Sequence, residues 1–125
     1  MILCDTNIFI RAFNEMQDTI DQLQIIGFEN IVLSSVSVME LYQGMGNKKE
    51  LAAMKKKIRY YDVVQIDADI SRKAIELIEN YKLSHGLMIP DALIGATALT
   101  YDFTLFTHNL KDFEYMPSIK LYKPR

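Results

Sequence analysis

Apolar residues along this chain fall into two alternating patterns, short runs and stripes spaced by three or four. The runs cover residues 1–4, 31–33, 63–66, 103–106 and 119–122. Short stretches rich in β-branched and aromatic residues, bounded by turn formers, predict strands. Between them lie the stripes Ile8, Phe9, Ala12, Phe13; Met16, Ile20, Leu23, Ile26; Val38, Leu41, Met45; Leu51, Met54, Ile58, Tyr61; and Ile70, Ala74, Leu77, Ile78, Tyr81. Each fits one face of a helix. Residues 92–99 are apolar nearly all round, with Gly95 and Ala96 small enough for close approach, and predict a buried central helix. Strand and helix alternate throughout, which predicts an α/β fold with a parallel sheet covered on both faces.

Boundary residues sharpen this outline. Thr6 and Asn7 are expected to cap the first helix, and Gly27 to stop the second. From Ser37 the pattern turns helical, placing Glu40 near a helix start, with residues 47–49 as a junction. Asp67 to Asp69 supply a turn and a cap for the long helix that ends near Gly86. Pro90 suits the first turn of the next helix, which sets Asp91 among free N–H groups, where it is expected to ionise readily.

At 125 residues and 50% hydrophobic, the chain is long enough to bury a core as one domain, residues 1–125. Its single cysteine, Cys4, lies in the first strand and reads as a small core residue, so no disulfide framework is expected. No basic leader precedes an apolar stretch, and no run approaches the ~18 residues of a membrane span. A soluble, reducing compartment, the cytoplasm, is the expected location. The net charge of -2 is unevenly spread. Residues 1–47 hold one arginine against six acids, residues 48–59 six bases against Glu50, and residues 60–125 seven bases against nine acids. A chain that grips a polyanion by bulk charge is basic overall, so nucleic-acid contact here must be local or metal-mediated.

The candidate chemistry starts at Asp5, an acid closing the first strand. In open α/β sheets, ligands bind outside the carboxyl ends of the strands. Glu40 and Asp91 lie near helix starts, and Asn109 and Asp112 follow the fourth strand, so all five residues are candidates for one edge. Clustered carboxylates repel one another unless a cation sits among them, and oxygen donors without His or Cys predict Mg²⁺ or Mn²⁺. His85 and His108 read as ordinary surface and strand-end residues. A divalent ion held by one or two carboxylates activates water and neutralises phosphate oxygens, so phosphodiester hydrolysis is the natural reaction.

Four stretches, in this order, resemble the PIN-domain proteins, specifically the VapC-type toxin ribonucleases. They are Ile2-Leu3-Cys4-Asp5-Thr6-Asn7; Ser37-Val38-Met39-Glu40-Leu41 with Gly44; Ile89-Pro90-Asp91-Ala92-Leu93-Ile94 with Ala96 and Ala98; and Leu105-Phe106-Thr107-His108-Asn109 with Lys111-Asp112-Phe113. The tail Pro117-Ser118-Ile119-Lys120-Leu121 is similar as well. The resemblance implies a three-layer α/β/α sandwich, metal-dependent endonucleolytic cleavage of RNA, a small antitoxin partner and a homodimer. It also implies Asp5 and Asp91 as the main Mg²⁺ ligands, with Glu40 as a ligand through water or a general base. Many relatives carry an acid where this chain has Asn109. Either Asn109 holds a metal water or orients Thr107, and Asp112 is expected to supply the missing charge. Arg11, Lys48, Lys49 and the bases from Lys55 to Arg59 are candidates for phosphate contacts, although lysines opposite an apolar stripe also make an ordinary solvated face.

Two rival functions fit the same composition. One is a phospho-acceptor receiver domain, which pairs two acids after the first strand and accepts phosphate on an acid after the third, here Asp67, beside a late lysine; Asp5 has no adjacent acid, and the strand end Phe106 to Asn109 offers no lysine. The other is a PIN fold that binds RNA or a partner without cutting, a reading for which Asn109 speaks. Tyr42, Met45, Met54, Tyr60 and Tyr61 suit either an interface or the core.

Overall fold

Strands and helices follow one another in the order the pattern predicts. The computed structural model describes all of residues 1–125. The strands are β1 (Ile2–Cys4), β2 (Ile31–Ser34), β3 (Asp62–Val64), β4 (Thr104–Phe106) and β5 (Lys120–Leu121). The helices are α1 (Thr6–Phe13), α2 (Gln17–Ile26), α3 (Ser35–Gln43), α4 (Lys48–Ile58), α5 (Ala68–His85) and α6 (Ile89–Tyr101). All pairings are parallel, in the order β3-β2-β1-β4-β5. The first strand is therefore the middle one, with Leu3 opposite both Val32 and Leu105. The chain builds outward from β1 to β3, then returns to lay β4 on the other side of β1. That reversal opens a crevice beyond the ends of β1 and β4, the place where such sheets bind ligands.

The two-residue period of each strand decides the layers. Leu3, Val32 and Leu105 point to one face, against Ile70, Ala74 and Leu77 of α5 and Ile94 and Ala98 of α6. Cys4, Ile31, Leu33 and Phe106 point to the other, against Ile8 and Phe9 of α1, Leu41 of α3, and Met54 and Ile58 of α4. The result is a three-layer α/β/α sandwich. Helix α6 buries six residues, Ala92, Ile94, Gly95, Ala96, Thr97 and Ala98, as its all-apolar sequence requires. At Gly95 a Cβ would stand 2.5 Å from the Met116 sulfur, so only glycine lets the C-terminal segment lie this close without a shift.

Several boundaries differ from expectation, each for a local reason. Asp5 itself, not Thr6 or Asn7, caps α1, because its carboxylate accepts the Thr6 N–H. The strand and helix thus share no spacer. Helix α3 starts at Ser35 with Ser34 as cap, so Glu40 lies in the second turn. Residues 47–49 are no mere junction, since Asn47 caps α4 by accepting from the Glu50 N–H at 2.9 Å. Tyr61 follows the end of α4, yet its ring still packs edge-on against Phe9 with centroids 5.1 Å apart. Strand β3 begins at Asp62 and ends at Val64, ahead of Gln65 and Ile66. A 3-10 turn, Leu110–Asp112, replaces the expected loop around Asp112. Cys4 is fully buried, and burial and then Asp5 push its thiol pKa far up, as suits an inert core residue. No helix is long and apolar enough to cross a membrane.

Candidate functional site

The sheet's crevice is acidic. A cleft of about 480 Å³ is lined by Asp5, Glu40, Asp91, Asn109 and Asp112, together with Thr6, Asn7, Ile10, Gln43 and Gly44. All five residues singled out by sequence therefore meet in one place.

Asp5 is the most constrained of them. Its backbone N–H donates to the Phe106 carbonyl at 2.9 Å, which ties the end of β1 to β4. One carboxylate oxygen accepts the Thr6 N–H at 2.8 Å and the other the Thr107 hydroxyl at 2.9 Å. Thr107 in turn accepts the Asn109 N–H at 2.9 Å. Asn109 thus orients Thr107 through its backbone, which leaves its amide side chain on the cleft wall. Burial raises the Asp5 pKa most; the bonds from Thr107 and Thr6 lower it, and the charges of Glu40 and Asp112 raise it again.

Glu40 is held from α1. Thr6 donates its hydroxyl proton to Glu40 Oε1 at 2.8 Å, and its oxygen stands 2.7 Å from the fully buried Ser37 hydroxyl. A hydroxyl has one proton, so Ser37 donates to Thr6 while Thr6 donates to Glu40. Sequence reading missed Thr6, Ser37 and Gln43 as site residues. The spacing Ser37, Glu40, Gln43 is the signal that was available, because residues three apart share a helix face.

Asp91 differs. It is the third residue of α6, and no hydrogen bond from the chain contributes to its titration. Desolvation, then the charges of Asp5, Asp112 and Glu40, push its pKa up to about 6. The expectation of ready ionisation is therefore overturned: burial and three neighbouring acids outweigh the helix dipole, which contributes only ~0.3–1 kcal/mol at such positions.

Other candidates lie elsewhere or are occupied. Arg11 bonds Thr19 at 3.0 Å and pairs with Asp18 at 2.9 Å, pinning α1 to α2 instead of facing the cleft. Asp67, which a receiver domain would use, caps α5 and bonds Tyr101 at the opposite end of α6 from Asp91. The lysines of α4 are exposed, and Lys57 lines an adjoining groove of about 380 Å³ with Ile10, Phe13, Leu41, Met45 and Met54.

The donor set fits a hard divalent cation. The charges of Glu40 and Asp112 add to the cost of ionising Asp5 and Asp91, and there is no His or Cys among the four. No three of them close into a ready-made cage. Mg²⁺-type sites need none, since such ions keep several waters and use one or two carboxylates.

The sequence and fold are similar to those of known proteins. The family model of the PIN domain matches residues 2–117. Ribonuclease VapC2 of Rickettsia felis is 28% identical over 127 residues, covering 95% of this chain and 94% of that protein. Ribonuclease VapC19 of Mycobacterium tuberculosis is 32% identical over 93 residues, covering 74% of each. Among solved structures, a chain of a toxin-antitoxin complex from Klebsiella pneumoniae superposes with a TM-score of 0.83 at 27% identity, over 100% of this chain and 98% of that one. The chain belongs to the PIN domain family, on its VapC branch.

Proposed function

We propose that this protein is a divalent-metal-dependent endoribonuclease, the toxin of a toxin-antitoxin pair. The observation that carries the reading is the convergence of Asp5, Glu40, Asp91 and Asp112 on one crevice with no basic group among its lining residues. Relatives bearing the name ribonuclease support RNA as substrate.

Asp5 and Asp91 would hold Mg²⁺ or Mn²⁺, and Asp112 would add negative charge to the same cleft. Such an ion, when bound, neutralises phosphate charge and makes water a better nucleophile. Thr107 and the Thr6 N–H fix Asp5 in place. Glu40, aimed by Thr6, takes a proton from water as its oxygen bonds phosphorus in line; the bond from phosphorus to the 3′-oxygen breaks, and that oxygen takes a proton from solvent, giving a 5′-phosphate and a 3′-hydroxyl. Asn109 contributes its amide to the cleft wall, where it orders water. The α4 lysines contact backbone phosphates outside the cleft, positioning RNA without reading its sequence.

Partners follow from the same reading. The apolar groove beside the cleft suits a segment of a small antitoxin protein, in line with the similar chain solved in a toxin-antitoxin complex. A homodimer is expected on size measurement in solution.

The test is cleavage of a mixed set of structured RNAs in Mg²⁺ or Mn²⁺, with chelator and Asp91→Asn protein as controls. Both controls should abolish cutting. Cleavage that persists in chelator, or that leaves a 2′,3′-cyclic phosphate, would overturn the mechanism.

A further inference from the structure

An acidic cleft presents a difficulty for any polyanionic substrate. Asp5, Glu40, Asp91 and Asp112 repel phosphates before an ion is bound, no basic residue lines the cleft, and Arg11 of α1 is committed to Asp18 and Thr19. Affinity must come partly from contacts that do not depend on charge. The rim of the cleft offers one.

Helices α5 and α6 form a hairpin whose corner, Gly86 to Met88, lies at the same end of the sheet as Asp91. The last residue of α5 is His85. Its ring stacks on Tyr115 with centroids 3.9 Å apart and planes within 19°, and meets Tyr81 edge-on at 5.8 Å. The Ser84 hydroxyl lies 2.7 Å from Nδ1 and fixes the ring's rotation. Tyr115 follows Asp112 by three residues and His85 precedes Asp91 by six, and the Tyr115 phenol pKa is raised first by burial and then by the charges of Asp91 and Asp112. The stack therefore borders the catalytic acids. Tyr115 covers one face of the His85 ring, while His85 itself remains exposed. Beside it, Met88 and Ile89 are 60% and 65% exposed, and Lys82 reaches across to the Met88 sulfur at 3.5 Å.

We infer that the exposed face of His85, backed by Tyr115, is a stacking platform for an unpaired base of the RNA, flanking the phosphate that is cut. The inference rests on the ribonuclease reading and adds a base subsite to it. Unstacked bases are recognised by aromatic and histidine rings, and an immobilised ring loses little entropy on binding. Met88 and Ile89 extend the apolar surface under the base, and Lys82 is placed for the adjoining phosphate. The platform selects single-stranded or looped RNA over duplex, because a paired base has no free face to offer.

The experiment compares the full-length chain with His85→Ala and His85→Phe. Single-stranded RNA carrying 2-aminopurine at one position at a time is bound in chelator, and the same sequences are cut in Mn²⁺. One position should be quenched by the wild-type chain and by His85→Phe but not by His85→Ala. In cleavage, His85→Ala should raise KM roughly tenfold with kcat within about twofold, the scale of one lost stacking contact. Wild-type cutting with unchanged KM and quenching in His85→Ala overturns the platform and leaves the nuclease standing. Absence of cutting by the wild-type chain overturns both. If His85→Ala changes only the molecular mass in solution, the stack serves contact between two copies, and the base subsite is wrong.

Discussion

The two principal acids of the cleft are held in opposite ways. Asp5 has both carboxylate oxygens bonded, to the Thr6 N–H and the Thr107 hydroxyl, and its backbone is locked to β4. Asp91 sits at a helix start, gains nothing from the chain's hydrogen bonds, and carries a pKa raised to about 6 by burial and by Asp5, Asp112 and Glu40. Both carboxyls are raised by burial, but hydrogen bonds offset part of that cost for Asp5 and none of it for Asp91. A binding site needs both: one group to fix position, another whose tension an incoming cation relieves.

The largest effect expected from breaking this pair is on catalysis. Asp5→Ala and Asp91→Asn should each lower RNA cleavage by roughly 10²–10⁴, measured as initial rates in Mn²⁺. Their stabilities should diverge. Asp5→Ala strands the Thr107 hydroxyl and the Thr6 N–H and should cost about 1–3 kcal/mol in denaturant titration.

Asp91→Asn should instead stabilise the chain in chelator at pH 7, by about 1 kcal/mol once partial exposure is discounted. The pH dependence follows from the same shift. The folded chain holds the Asp91 proton up to about 6, against ~3.9 when unfolded. That contribution is whole below about pH 4 and is lost as the pH rises through 6. Wild-type Tm in chelator should therefore fall relative to Asp91→Asn between pH 4 and 7, and divalent metal should reverse the difference.

Thr107→Val probes the constrained side more gently. It removes the donor to Asp5 and the acceptor of the Asn109 N–H, for an expected loss of about 1–2 kcal/mol and roughly tenfold in kcat, with Thr107→Ser restoring both. The smallest effect should come from outside the cleft. Lys57→Ala should weaken RNA binding about two- to threefold and reduce the salt slope of log K by about 0.7, the value of one single-strand phosphate contact.

How much of this was legible beforehand depends on the kind of information involved. The apolar runs around Leu3, Val32 and Leu105 and the stripes of α1 and α5 announced the parallel sandwich, since burial imposes its period directly on sequence. The five cleft residues were legible because polar groups after strand ends and in the early turns of helices are placed by that same scaffold. The titration of Asp91 was not, because it depends on distances to three acids that only the fold sets. The pairing of Thr6 with Ser37 was hidden for a related reason. Their hydrogen bonds join α1 to α3, and sequence spacing shows only neighbours within one helix.

The bond from Thr107 to Asp5 spans 102 positions of chain. Asn109 and Asp112 lie later still, so β1 cannot work until β4 and the turn after it have joined the sheet. A ribosome partway through this chain holds an N-terminal strand with a bare aspartate and no cleft around it. For a protein proposed to destroy RNA, that order of assembly is a built-in delay: the translating messenger is exposed to its own product only after β4 has emerged and docked.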